Sequence, residues 1–375
     1  MLLSKSLLLF TATFGLVFVS NVHGVKMSSI EQCPALKPRT TAPKGVTDLR
    51  PDDITVIGAI GDSITAGFAA DGIQGDSLLN LKSIYEYRGV SYAAGGDPGA
   101  ITIPNLIKRY SPKLLGPSVK EHLAELCFGP LCAPNQYKPS MDVLNAAQSG
   151  AMAPNLDDQV DYLLPAIKNL PGVNYTHDWK LINIQIGSND QCTYCLDPVF
   201  QSLGAKSYGE NVVAAIERIR TTVPRVLINL MSTFKVSQVY TLTAQQEYCM
   251  PFKDINFKLN TFECMCSINP KKRPQMDEIS DAYNAQLLKI FNDYKSKSTD
   301  SFGVMYTPVP VNITSFPIDG LSDIDCFHPS TKGHQWVTKA LWNTMFVPLA
   351  SKPTVLNFDE QEQVYCPTET DRIGS

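Results

Sequence analysis

Residues 54–63 read Ile54-Thr55-Val56-Ile57-Gly58-Ala59-Ile60-Gly61-Asp62-Ser63. A short, nearly continuous apolar run suits a parallel strand buried on both faces. Gly61 then permits a sharp backbone reversal, and Ser63 follows at the carboxyl end of the run, where a helix is expected to begin. That puts a hydroxyl close to the positive potential of a helix terminus. Taken alone, Gly-Asp-Ser is equally an ordinary turn or N-cap. A serine hydroxyl becomes a useful nucleophile only when a base accepts its proton, so its meaning depends on the rest of the chain. The Gly-x-Ser-x-Gly elbow of the α/β-hydrolases does not occur.

Four further runs resemble the first: Asp142–Ala146, Lys180–Ile186, Arg225–Met231 and Phe302–Thr307. Helical patterns lie between and after them, at Asn155–Lys168, Tyr208–Val223, Met276–Lys297 and Ser330–Met345. Strand and helix in alternation predict a doubly wound α/β layer. Two long insertions interrupt it, residues 71–140 and 233–275. Ligands of open α/β sheets bind beyond the carboxyl ends of the strands, so these insertions are placed to wall a cleft there.

The base is found by elimination. Beyond residue 24 the histidines are His122, His177, His328 and His334. His122 lies among helix-like polar residues and His177 follows a sequon, so both read as surface residues. His334 falls inside the last helix and reads as packing or rim. His328 has Asp325 three residues ahead and Pro329 behind. In a tight loop that spacing lets a carboxylate hold one imidazole nitrogen and stabilise the imidazolium. Asp323 competes for the same role. Acyl transfer also requires donors aimed at the developing oxyanion. The Ser63 N–H, the Gly150 N–H after the second strand and the Asn189 amide after the third are positioned to supply them. Asn189 is otherwise an Asx turn closing a strand.

Composition defines the setting. Apolar residues are 44% of the 375, enough for a large core in one or two domains. A formal charge of −4 leaves no basic footprint for nucleic acid and no strong attraction to anionic membranes. Met1–Lys5 is short and basic, Leu7–Val19 apolar, and Val22-His23-Gly24 a plausible cleavage point, which predicts a secretory leader over residues 1–24. The other reading is a signal anchor. No later run reaches about 18 uninterrupted apolar residues, and no C-terminal tail suits a lipid anchor. All ten cysteines follow residue 24, and an even number in an exported chain predicts disulfides. Cys192-x-x-Cys195 also has redox or zinc spacing, but no histidine pair accompanies it, so no metal is assigned. Asn174-Tyr175-Thr176 and Asn312-Ile313-Thr314 are sequons. The expected layout is a leader (1–24), an N-terminal extension (25–50), one hydrolase domain (51–350) and a C-terminal extension (351–375).

In order, Gly61-Asp62-Ser63, Gly150, Gly187-Ser188-Asn189-Asp190 and Asp325-Cys326-Phe327-His328 resemble the blocks of the GDSL/SGNH hydrolases. Tyr87-Arg88-Gly89-Val90-Ser91, Gly95-Gly96-Asp97, Cys192-x-x-Cys195, Tyr248-Cys249, Cys264-x-Cys266 and Ala340-Leu341-Trp342-Asn343 narrow the likeness to the animal phospholipase B branch, over roughly residues 50–367. The resemblance implies a flavodoxin-like three-layer α/β/α fold with a parallel five-stranded sheet in the order 2-1-3-4-5. It implies Ser63 as nucleophile, His328 as base and Asp325 as its orienter, with an oxyanion hole from Ser63, Gly150 and Asn189. It further implies hydrolysis of phospholipid and lysophospholipid acyl esters without a cofactor, in transient contact with lipid aggregates. Membrane-anchored relatives carry several such units and a C-terminal span, whereas one unit and no stable membrane anchor are expected here. Two other functions fit the same blocks: an esterase for acetylated carbohydrate or other small esters, and a non-catalytic lipid-binding protein.

Overall fold

The computed structural model describes residues 24–74, 84–133, 136–196, 204–249 and 263–374. The expected leader, Gly24 apart, lies outside the described residues, as do parts of both insertions. The principal elements are β1 (Ile54–Gly61), α1 (Ser63–Ala66), α2 (Leu156–Asn169), β2 (Trp179–Gln185), α3 (Ser188–Thr193) and α4 (Ala205–Thr222). They continue with β3 (Val226–Met231), α5 (Arg273–Lys295), β4 (Phe302–Thr307) and α6 (Thr331–Thr344).

β1, β2, β3 and β4 form a parallel sheet in that order. Because side chains alternate along a strand, the sheet has two buried faces. Ile182, Ile184 and Ile228 pack with Leu163 of α2, Ile216 of α4 and Tyr283 of α5. Leu181 and Leu227 face the opposite core, with Trp336 and Trp342 of α6. This is the three-layer arrangement expected from the alternation. Asn183, Asn229 and Thr307 cross the sheet as a buried ladder, Asn229 Nδ2 donating to Asn183 Oδ1 (2.9 Å) and Thr307 Oγ1 to Asn229 Oδ1 (2.6 Å).

The expected fifth strand, Asp142–Ala146, is a correction. It lies beside β1, as the 2-1-3-4-5 order requires, but makes only a parallel bridge through Asn145 opposite Ala59. The Ala59 N–H donates to Leu144 O, and the Ala146 N–H to Ala59 O, both closing near 2.8–2.9 Å. Two local features stop the ladder. Val143 adopts φ 50°, outside the β region. The lower half of the β1 edge is already taken by Leu115, which exchanges hydrogen bonds with Thr55 and Ile57.

The two extensions meet each other. Lys26–Met27 pairs antiparallel with Val364–Tyr365, and Cys33 is bonded to Cys366. The other disulfides are Cys127–Cys132, Cys192–Cys264, Cys195–Cys266 and Cys249–Cys326, so every cysteine is paired. The Cys192-x-x-Cys195 spacing thus serves a double staple from the end of α3 to the second insertion.

Candidate active site

Ser63 begins α1 at the carboxyl end of β1. Asp62 caps that turn, its Oδ1 accepting from the Ile64 N–H at 3.0 Å. Gly61 is required by space: a Cβ there would lie 2.4 Å from the Gln185 carbonyl and 2.6 Å from Thr65 Oγ1. The side-chain amide of Gln159, on α2, clamps the same residue, accepting from Gly61 N (2.8 Å) and donating to Gly61 O (2.7 Å). Sequence reasoning missed Gln159, because nothing local marks a glutamine 98 residues away.

From the other end of the chain, the loop after β4 delivers His328. Ser63 Oγ donates to His328 Nε2 at 2.7 Å, and His328 Nδ1–H donates to Asp325 Oδ2 at 2.6 Å. Asp325 Oδ1 accepts from the Phe327 and His328 N–H groups, at 2.9 and 3.1 Å, which fixes the carboxylate against its own loop. Asp323, the competitor, is engaged elsewhere, with Oδ1 accepting from Ile73 N. All three side chains are buried, with Ser63 5% and His328 3% exposed. Burial opposes a charge on His328, but Coulomb attraction to Asp325 and the hydrogen bond its carboxylate accepts outweigh it, with Glu263 and Asp62 adding to them. The net effect raises the imidazole pKa.

Asn189 and Gly150 are brought to the same strand ends. Asn189 Nδ2 donates to Ala151 O at 2.9 Å. The Gln148 N–H reaches Gly61 O at 3.3 Å and ties the Gly150 loop to the turn that carries Ser63. Asp190 accepts from Ala153 N, and burial pushes its pKa up to about 7.

With this geometry in place, residues 57–341 match the family described as GDSL-like Lipase/Acylhydrolase. The chain belongs to that family. Membership puts it among the carboxylic ester hydrolases. Human "Phospholipase B1, membrane-associated" is 30% identical over 351 residues, which is 90% of this chain and 22% of that protein. The mouse protein of the same name is 29% identical over 351 residues, with the same coverage of each. The chain thus spans about a fifth of the length of these curated relatives. Among solved structures, a carbohydrate esterase family 3 from Talaromyces cellulolyticus shares 15% identity at a TM-score of 0.37, covering 76% of this chain and 93% of its own. That likeness is too slight to bear on the fold.

Two further features of this GDSL-like hydrolase went unread in the sequence. Glu263, beside the Cys264-x-Cys266 pair, brings a carboxylate oxygen within 4.8 Å of donor atoms on Asp325 and His328. Burial, with Asp325 adding to it, pushes its pKa up to about 7. His122, expected at the surface, is instead buried against Asp142, with Nε2 2.7 Å from Oδ1. His122 itself belongs to a two-residue strand, His122–Leu123, in which it is buried while Leu123 is exposed. His177 is exposed, and His334 is buried, with Nδ1 accepting from Tyr92 N at 3.3 Å. His122, Glu125 and Asp142 could together hold a metal ion by distance. The Arg88 guanidinium already fills that role as the cation, 3.3 Å from Asp142 and 3.4 Å from Glu125.

Proposed function

We propose that this chain is an exported serine hydrolase that cleaves acyl esters of phospholipids and lysophospholipids through an acyl-enzyme on Ser63. The Ser63 Oγ–His328 Nε2 contact of 2.7 Å is the observation that carries this function. As Ser63 Oγ attacks the ester carbonyl, His328 Nε2 takes its proton, and Asp325 stabilises the imidazolium through Nδ1–H. The tetrahedral oxyanion accepts from the Ser63 and Gly150 N–H groups and the Asn189 amide. His328 then protonates the leaving alcohol. In the second half, water gives its proton to His328 and its oxygen to the acyl carbon, and Ser63 is regenerated.

A lipid substrate is supported by the names of the relatives and by two features of the surface and core. Leu126 and Leu131, 61% and 74% exposed, lie in or beside the Cys127–Cys132 hairpin next to Gly150. An apolar cavity of about 50 Å³, lined by Ile64, Val239, Val309, Phe316, Leu321 and Phe327, borders the residues flanking Ser63 and His328. Export agrees with five disulfides, which form in oxidising compartments, and with the apolar Leu7–Val19 run. No helix of the described residues is long and apolar enough to cross a membrane. In this layout residues 1–24 are removed, residues 51–350 form the hydrolase domain flanked by its extensions, and exposed Asn174 accepts a glycan.

A phospholipid with different acyl chains at its two positions, followed by mass spectrometry of the products, tests this. Released fatty acid and lysophospholipid are expected, and Ser63→Ala should abolish both along with labelling by a fluorophosphonate. Turnover confined to acetyl esters would reject the lipid substrate, and turnover surviving Ser63→Ala would reject the mechanism.

A further inference from the structure

The densest set of buried charges lies outside the triad. Arg88 is fully buried, and its Nη2 lies 2.6 Å from Glu86 Oε2, with Glu125 and Asp142 on its other sides. Burial pushes the Glu125 pKa up to about 8, with Arg88 pulling against it. Charges buried in this way seldom add net stability compared with apolar packing. What they hold is therefore informative.

Glu86 turns its other oxygen, Oε1, to Ser149, accepting from Ser149 Oγ at 2.6 Å and sharing the Ser149 N–H, at 3.2 Å, with the Glu125 carbonyl, which accepts it at 2.9 Å. Ser149 O in turn accepts from Cys127 N at 2.9 Å. That carbonyl and the Gly150 N–H belong to one planar peptide unit and point in opposite directions. Fixing Ser149 on its N, Oγ and O therefore fixes where the Gly150 N–H is aimed. Gly150 sits at φ 83°, which favours glycine, and among the described residues its N–H donates to no protein acceptor. An unpaired, rigidly aimed N–H is what oxyanion stabilisation requires, since the donor must not reorganise during reaction.

We propose that Glu86, held by Arg88, is a positioning residue that aims the Gly150 N–H at the developing oxyanion through Ser149. The Tyr87-Arg88-Gly89 block thereby acquires a role distant from the triad. The proposal rests on the acyl-transfer function above, and the wild-type enzyme tests that part separately by turning over a short-chain nitrophenyl ester.

Ser149→Ala removes one hydroxyl and leaves the backbone contacts intact, so it is the decisive variant. It should lower kcat about tenfold, less than the 10²–10³ lost when a donor is deleted outright, with KM within about twofold. A trifluoromethyl ketone, which mimics the tetrahedral adduct, should bind more weakly by the same factor as kcat/KM falls. A non-hydrolysable ether analogue of the substrate should bind as before. Glu86→Gln should lower kcat further, and the double variant should be no worse than Glu86→Gln, because both act on one path. Wild-type kcat in Ser149→Ala would overturn the proposal. So would equal weakening of ketone and ether, the sign of a general loss of site structure.

Discussion

The loop that carries His328 is stapled by Cys249–Cys326, and replacing both cysteines by serine separates what the staple does for the fold from what it does for the site. The bond joins residues 77 apart, and in the chain-entropy model closing a loop of that length is worth about 4.5 kcal/mol at 25 °C. The loop has other ties that survive. Ser322 N donates to His328 O and Cys326 N to Ser322 O, both at 2.8 Å. Ser322 Oγ also donates to Ala69 O at 2.7 Å. Most of the loss should therefore fall on global stability, read as a lower urea midpoint, with kcat at 25 °C reduced less than about tenfold. Cys326 adds a second expectation. It adopts φ 50°, a conformation costing a non-glycine residue about 1–2 kcal/mol. Without the staple, the serine replacing Cys326 can relax away from it and slacken the Asp325–His328 pair. Pairing Cys249→Ser with Cys326→Gly should then recover activity relative to the double serine variant. A double serine variant within about 1 kcal/mol of wild type would refute the entropic estimate. A folded variant with collapsed kcat would show that the remaining ties do not hold the loop.

Three other outcomes can be measured. Asn189→Ala should cost about 10²–10³ in kcat with little change in KM, and an unchanged kcat would remove it from the oxyanion hole. His328 works as a base only when neutral. Asp325, Glu263 and Asp62 face it and raise its pKa against burial, while His334, pushed down to about 3 by burial, stays uncharged beside it. The acid limb of the kcat/KM profile should therefore lie above the ordinary histidine range, and Glu263→Gln should move it downward. The same raised pKa stabilises the folded state fully below the unfolded histidine value, and this contribution is lost as pH rises through the folded value. Finally, Leu131→Asp should impair turnover of phospholipid vesicles while sparing a soluble nitrophenyl ester; equal loss on both would argue against a lipid-facing hairpin.

How far the chain could be read depended on whether a signal was local. The Ile54–Ile60 run, its glycine turn and the 325–328 spacing are each set within a few residues, so strand, nucleophile turn and acid–histidine pair were all legible. Arg88 was legible only as part of a block, because two of its three carboxylate partners, Glu125 and Asp142, come from other segments. His122 misled, since polar neighbours in sequence say nothing of what a two-residue strand packs against. The Asp142–Ala146 run misled in the other direction: its pattern suits a ladder, but Leu115 competes for the same edge.

By itself, then, the sequence determined the layer architecture and singled out Ser63, Asp325 and His328 as candidates, because alternating strands and helices and short turn motifs obey near-neighbour rules. Only the tertiary structure decided which cysteines pair, that Gln159 clamps Gly61, and that Glu86 reaches Ser149. Apart from Cys127–Cys132, five residues apart, those contacts join residues tens to hundreds of positions apart, and their partners are chosen by the packing of the folded chain rather than by spacing along it.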